Sequence, residues 1–276
     1  MALKLMYITN VPKIALIAEK TGVDRVMIDL ETLGKDERQK NMDTVKSHHT
    51  VSDVAAVSDV LTTAELLVRI NPWNENSLSE IDAVIKAGAQ RIMLPMWKTA
   101  AEVKAFLGAV NNRVHTVLLL ETKEAAEIID EILEIPLLDE IHIGLNDLHL
   151  SYGLTFMFEL LTNGVVEMLC SKIKAKGIPY GFGGIAKLDE GLVPARRIIM
   201  EHYRLGSTAA ILSRSFCNAE EIKNIAKIED LFSENMQYLR QFEALLPSFT
   251  EQEFAENTEY ISKMVNQITT HIKESE

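Results

Sequence analysis

Short apolar runs alternate with stretches of helical periodicity from the first residues almost to position 218. Apolar runs bounded by turn residues read as strands of a parallel sheet, and apolar residues recurring every third or fourth position read as amphipathic helices. Strands are predicted at Leu3 to Thr9, Arg25 to Leu30, Leu66 to Ile70, Arg91 to Pro95, Thr116 to Glu121, Glu140 to Gly144, Tyr180 to Gly184 and Ala209 to Ser213. Helices between them include Ile14 to Lys20, Leu78 to Ala87, Ala101 to Val110, Ala125 to Leu133, Val165 to Lys176 and Leu192 to Arg204. Gly22, Gly88 and Gly177 each stand between a helical run and the next strand, where helix C-terminal glycines belong. Eight β-then-α units in roughly 215 residues predict an α/β fold of the (β/α)8 TIM barrel type, for which ~250 residues is typical. A doubly wound open sheet gives the same alternation, but Asn10-Val11-Pro12-Lys13 stands after the first strand in place of a Gly-rich dinucleotide turn.

Beyond Cys217 the pattern is helical only. Met236, Leu239, Phe242, Leu245 and Leu246 form one apolar stripe, and Ile261, Met264, Val265, Ile268 and Ile272 form a second. Residues 1–232 are therefore expected to form the catalytic barrel, and 233–276 a C-terminal helical extension that is either a lid over the barrel bottom or an arm that packs on another subunit of a homo-oligomer, the second being the expectation.

The chain has 276 residues, 28 basic against 40 acidic, and a formal charge of −12. No basic cluster is dense enough to track a phosphate backbone, so nucleic acid is not an expected partner. Cys170 and Cys217 lack metal-ligand spacing and read as free buried thiols of a reducing compartment. With no signal-like N-terminus and no apolar run near the ~20 residues a bilayer requires, a cytoplasmic protein without a membrane partner is expected.

Parallel strands gather their chemistry at their C-terminal ends. Here those ends carry Asp29-Leu30-Glu31, Arg69-Ile70-Asn71, Glu121 and Asn146-Asp147, while strands seven and eight end in Gly183-Gly184 and Ser213-Arg214. Strand ends meet water and are polar for that reason alone. An arginine with four carboxylates from neighbouring strands asks for more, because charges held in a barrel mouth need partners. Glu121 and Asp147 face one cleft, and such an oxygen pair suits a hard divalent cation, Mg2+ foremost with Mn2+ as the alternative. The long loop from Glu31 to Ser52 contains the charged run Lys35 to Lys40 and then His48-His49; it reads as a solvated segment or as a gate with substrate contacts.

Asp29-Leu30-Glu31, Arg69-Ile70-Asn71-Pro72, Ile92-Met93-Leu94-Pro95-Met96, Leu120-Glu121-Thr122 and Ile143-Gly144-Leu145-Asn146-Asp147-Leu148 with Gly153 occur in this order. From about Val23 to Phe216 the chain thereby resembles the HpcH/HpaI aldolase and citrate lyase β-subunit family. The resemblance implies a pyruvate-type TIM barrel, a divalent metal, and making or breaking of a carbon–carbon bond beside a 2-oxo acid or acyl thioester. It also implies Glu121 and Asp147 as metal ligands and Arg69 as the catalytic contact to the keto or enolate oxygen. Gly144, Leu145, Asn146 and Asp147 match the segment that binds the substrate carboxylate, and Asp29 and Glu31 the acidic pair that holds metal-coordinated water. Trimers or hexamers are the expected assemblies.

The chain departs from the family at Thr32, where the aldolases carry an acid/base histidine and the citrate lyase branch an acidic residue. Lys35 and Arg38 follow the latter branch. His49 is the expected replacement acid/base, with His48, His149 and a metal-bound water as alternatives. The expected function is thus a class II, metal-dependent lyase or aldolase acting on a pyruvate- or oxaloacetate-like 2-oxo acid, or on a citrate lyase-like acyl substrate. The alternative is a catalytically reduced subunit that binds a metabolite or carrier. Schiff-base chemistry would need Lys98 or Lys187, which lie beyond strand ends, and phosphate-ester chemistry would rest on Gly183-Gly184 and Gly206-Ser207. Specificity is expected from Trp73, Trp97 and the Tyr152 to Asn163 insertion.

Overall fold

The computed structural model describes residues 2–34, 49–219, 222 and 224–275. Eight parallel strands, β1 (Lys4–Ile8), β2 (Arg25–Asp29), β3 (Glu65–Arg69), β4 (Arg91–Leu94), β5 (His115–Leu120), β6 (Glu140–Ile143), β7 (Tyr180–Ile185) and β8 (Ala209–Leu212), pair in sequence order and close β8 onto β1. The described helices are α1 (Pro12–Lys20), α2 (Val51–Ser58), α3 (Ser77–Lys86), α4 (Ala100–Val110), α5 (Lys123–Glu127), α6 (Ile129–Ile132), α7 (Leu145–Ser151), α8 (Glu159–Thr162), α9 (Val165–Ala175), α10 (Ala195–Leu205), α11 (Ile225–Leu245) and α12 (Glu251–Ser275). The chain is a (β/α)8 TIM barrel with additional C-terminal helices.

Local chemistry explains where the elements depart from the hydrophobic pattern. Every strand but β7 stops one residue before its endpoint in the sequence reading, which places Glu121 and Gly144 on the turns above the sheet. The helix expected over Ala125 to Leu133 breaks into α5 and α6 at Ile128, whose φ and ψ of −101° and 13° leave the helical basin. Helix α2, absent from the predicted segments, starts at a capping box in which Thr50 accepts from the Asp53 N–H and Asp53 accepts from the Thr50 N–H. Helix α1 begins at Pro12, whose missing N–H costs nothing in the first turn.

Alternation along the strands fills the barrel interior in layers. At the bottom, Arg25, Glu65, Arg91 and Glu140 form a charged floor: Arg25 donates to Glu65 at 2.8 Å and to Glu140 at 2.6 Å, and Arg91 donates to Glu65 at 2.7 Å. Above it lie Met6, Met27, Leu67, Met93, Val117, Leu119 and Ala209, an apolar plug that separates this floor from the mouth. Two residues further along the same strand faces, Asp29, Arg69 and Glu121 reach the top.

Helix α11 packs on α1 and runs without a break across position 232, the expected domain boundary. Helix α12 lies on α8 and α10 of its own chain, burying Ile261 and Val265. Asn257 is fully buried there and donates to Glu201 at 3.0 Å. This part of the tail stripe is therefore intramolecular cover, contrary to the expectation that barrel closure leaves it for a neighbouring subunit. Met264, Ile268 and Ile272 remain half-buried. Among the described residues no helix is long and apolar enough to cross a membrane.

Candidate active site

Position 29 is the last residue of β2 and position 69 the last of β3, and the two are register partners, so their side chains rise together into the mouth. Arg69 donates from Nε and Nη2 to the two Asp29 oxygens, each at 2.8 Å, and its Nη1 lies 3.4 Å from Glu31 Oε2. The fork-on-carboxylate geometry fixes the guanidinium plane, leaving N–H groups on both Nη atoms for other oxygens. Burial opposes the charge on Arg69, and Asp29, Glu31 and Glu121 more than offset it, raising its pKa further.

Glu121 is buried and its Oε1 accepts from the Met96 N–H at 3.1 Å. Met96 has φ 54°, a left-handed conformation rare for a side chain of its size. The turn after β4 thus holds a strained backbone that aims an amide at this carboxylate, the kind of strain that collects at functional sites. Burial and the neighbouring Asp147 charge push the Glu121 carboxyl well above the usual carboxylate range, against the pull of Arg69. A buried and a half-buried carboxylate that repel in this way form a donor set that a divalent cation would relieve. Among the described residues no group of three or more His, Cys, Asp or Glu side chains forms a metal cluster. The carboxylate pair nevertheless fits a hard cation that keeps water and substrate oxygens in its remaining positions.

Asp147 is carried by α7, whose first residues follow directly from β6. Leu148 N–H makes the helix bond to the Gly144 carbonyl, so the N–H groups of Leu145, Asn146 and Asp147 fall in the first turn, which has no intrahelical acceptors. All three residues line a cavity of about 320 Å3 together with Arg69 and Glu121. A second cavity of about 300 Å3 adjoins it, lined by Asp29, His49, Asn10 and Arg214 and sharing Arg69 and Ser213 with the first.

The expected site residues Asp29, Glu31, Arg69, Glu121, Gly144, Leu145, Asn146, Asp147 and His49 are brought to one mouth. His49 Nδ1 accepts from the Asp29 N–H at 3.0 Å, so the neutral ring carries its proton on Nε2. That arrangement suits a hydrogen-bond donor, the acid half of the acid/base role expected of His49. His149 is buried with Nδ1 3.2 Å from the Leu145 carbonyl and lines neither cavity. Thr32 sits exposed at the rim, its N–H donating to Asn71 at 2.9 Å. Lys35, Arg38 and His48 lie outside the described residues. Lys98 pairs with Glu124 at the surface and Lys187 with Glu190, so neither enters the mouth. Trp97 is core, Trp73 packs against it, and of the Tyr152 to Asn163 insertion Met157 reaches the cavity.

His142 was missed by the sequence reading. It points inward from β6, lines the cavity and is 1% exposed. Burial lowers its pKa to about 4, so it stands neutral. Its signal lay in the alternation Glu140, His142, Gly144 along one strand face.

Comparison with known proteins agrees with the barrel fold. An HpcH/HpaI aldolase from Desulfitobacterium hafniense DCB-2 shares 15% identity at TM-score 0.62, covering 87% of this chain and 93% of that one. A family protein from Burkholderia cenocepacia J2315 shares 15% identity at TM-score 0.59, covering 88% and 95%. Macrophomate synthase shares 17% identity at TM-score 0.55, covering 77% of each chain. At these identities the likeness concerns the fold. No curated relative matches the chain in sequence. Residues 4–161, more than half of the chain, match the family model for HpcH/HpaI aldolase/citrate lyase, and the chain belongs to this family of carbon–carbon lyase-type enzymes.

Proposed function

We propose that the protein is a divalent-metal-dependent lyase or aldolase that cleaves or forms a carbon–carbon bond beside the carbonyl of a pyruvate-like 2-oxo acid. The observation that carries this reading is the meeting of Arg69 with the repelling pair Glu121 and Asp147 in one buried mouth. Glu121 and Asp147 would hold the cation, Mg2+ or Mn2+, which when bound supplies positive charge where negative charge develops.

In the cleavage direction the bond between the carbon next to the keto group and the carbinol carbon breaks. Its electron pair passes into an enolate, and the hydroxyl proton leaves to cavity water as the carbinol becomes a carbonyl. Arg69, held rigid by Asp29, aims its remaining N–H groups at the oxygen that becomes anionic. The first-turn N–H groups of Leu145 to Asp147 receive the substrate carboxylate. His49 donates from Nε2 to the oxygen of the acceptor half. Asp29 and Glu31 position Arg69, a use that precedes any contact to metal-coordinated water.

Free buried Cys170 and Cys217 favour a reducing cytoplasmic setting. The half-buried remainder of the α12 stripe favours a homo-oligomer. The test is exchange of pyruvate methyl protons in deuterated water. Exchange that requires Mg2+ or Mn2+, stops with chelator and survives borohydride supports the reading. Exchange that persists without metal and is trapped by borohydride at a lysine refutes it.

A further inference from the structure

β7 is irregular. Gly181 pairs with Ala209 and Gly184 with Ile211, so β7 spends one residue more than β8 over the same span. Such a bulge turns a carbonyl out of the ladder and is frequent beside active sites. Here the carbonyl is that of Gly183, whose φ of 52° is left-handed, and it accepts from His142 Nε2 at 3.2 Å. Because a carbonyl only accepts, His142 carries its proton on Nε2 and presents Nδ1 toward Gly181. A Cβ at Gly181 would lie 2.8 Å from that Nδ1 and 2.3 Å from the Ala209 carbonyl oxygen, so the glycine makes room for the ring. On its other side the bulge is seated on α7. A Cβ at Gly183 would lie 2.8 Å from Leu145 Cδ1.

We propose that His142 is a positioning residue for the 2-oxo acid: by holding the Gly183 carbonyl it seats the β7 bulge against Leu145 and so sets the Gly144–Asp147 turn that receives the carboxylate. The glycines of β7 then serve a bulge that supports the site and have no need of a phosphate. The proposal rests on the reading of that turn given above, and it gives His142 a role exerted through the turn.

The experiment compares His142→Leu, which keeps volume and loses the donor, with His142→Gln, which can still donate to Gly183. Gly183→Ala presses a Cβ against Leu145 and so disturbs the seat of the bulge from its other side. Amide hydrogen exchange on the full-length protein without ligand is read over 144–148 and 180–185. His142→Leu and Gly183→Ala should accelerate exchange in both segments, while His142→Gln stays near wild type. With Mg2+ present, the same two variants should raise KM for the 2-oxo acid about tenfold with kcat within about threefold, and Gln should restore it. Should His142→Leu fail to fold, His142→Met, which also lacks the donor, is read in its place. Unchanged exchange over 144–148 in the variants that break the link overturns the proposal, as does an equal loss in His142→Gln. If the wild type turns over no 2-oxo acid, the functional reading falls while the exchange measurement still decides whether His142 sets this turn.

Discussion

Gly144 lies against Glu121 so closely that a Cβ on the glycine would meet Glu121 Oε2 at 2.9 Å and Glu121 Cβ at 3.0 Å. Its φ of −83° is open to any residue, so backbone freedom is not the reason for a glycine here. The reason is the carboxylate beside it.

Gly144→Ala should therefore displace Glu121 while the barrel still folds. The expected result is a loss of about a hundredfold in kcat with a melting temperature close to wild type, since displacement of a catalytic group by about 1 Å has effects of that size. Kinetics paired with a thermal melt check it. Wild-type turnover in the alanine variant would mean the carboxylate relaxes harmlessly.

Glu121→Gln and Asp147→Asn should each lose metal-dependent activity and retain the fold, because one carboxylate leaves too little charge to hold a hard cation. Titration calorimetry with Mg2+ and Mn2+ gives the direct reading. Unchanged affinity in both variants would remove this pair from consideration as the metal site.

Arg69→Lys should lower kcat about a hundredfold or more and change KM less. An ammonium cannot hold both Asp29 oxygens and still direct donors at the substrate oxygen. A loss confined to KM would assign Arg69 to ground-state binding alone.

The pattern of apolar runs was enough for the barrel, since eight buried strands between amphipathic helices leave few other ways to hide both faces of a parallel sheet. It located Asp29, Arg69, Glu121 and Asp147 because strand ends converge in space. It did not reveal that Asp29 and Glu31 are occupied with Arg69, since pairing depends on barrel register and not on spacing along one strand. The charged floor of Arg25, Glu65, Arg91 and Glu140 was missed for the same reason: each charge stands alone at the start of its own strand. The strain at Met96 and the left-handed turn that offers the Gly183 carbonyl to His142 are backbone events with no mark in composition.

Acid should weaken the fold in two overlapping windows. Burial lowers His142 to about 4, and burial with a contribution from His142 lowers His202 to about 3, against an ordinary value of 6.5. Below about pH 6.5 the unfolded chain takes up protons that the folded chain refuses until about pH 4 and 3, so stability present at neutral pH is lost as pH falls. The loss is on the order of a few kcal/mol per histidine. Burial disfavours the Glu65 charge, yet Arg91 and Arg25 hold its pKa down to about 2. Its contribution is present above about 4.5 and disappears between there and about 2; with a third of the side chain exposed it is about 1 to 2 kcal/mol after screening. Melting temperatures from pH 7 to pH 3 test this, with His202→Gln expected to flatten the upper window and Glu65→Gln the lower.

The C-terminal helix should matter first to the monomer and then to assembly. Ile261 and Val265 of α12 are buried against α8 and α10, and Glu201, itself buried, accepts from both Asn257 and Thr258 at 3.0 Å. Truncation after Leu246 would uncover that apolar surface and leave the Glu201 carboxylate short of donors, at a cost of about 3 kcal/mol or more. A clean, stable truncated barrel is therefore not expected, and assembly is better tested on the intact chain. Ile268→Glu places a charge on the half-buried part of the stripe without touching the Glu201 bonds. Light scattering should show the full chain as a homo-oligomer at micromolar concentration and the variant as a smaller species with a similar melting temperature. A monomeric full chain, or an Ile268→Glu variant that keeps the wild-type assembly, would leave α12 as intramolecular cover only.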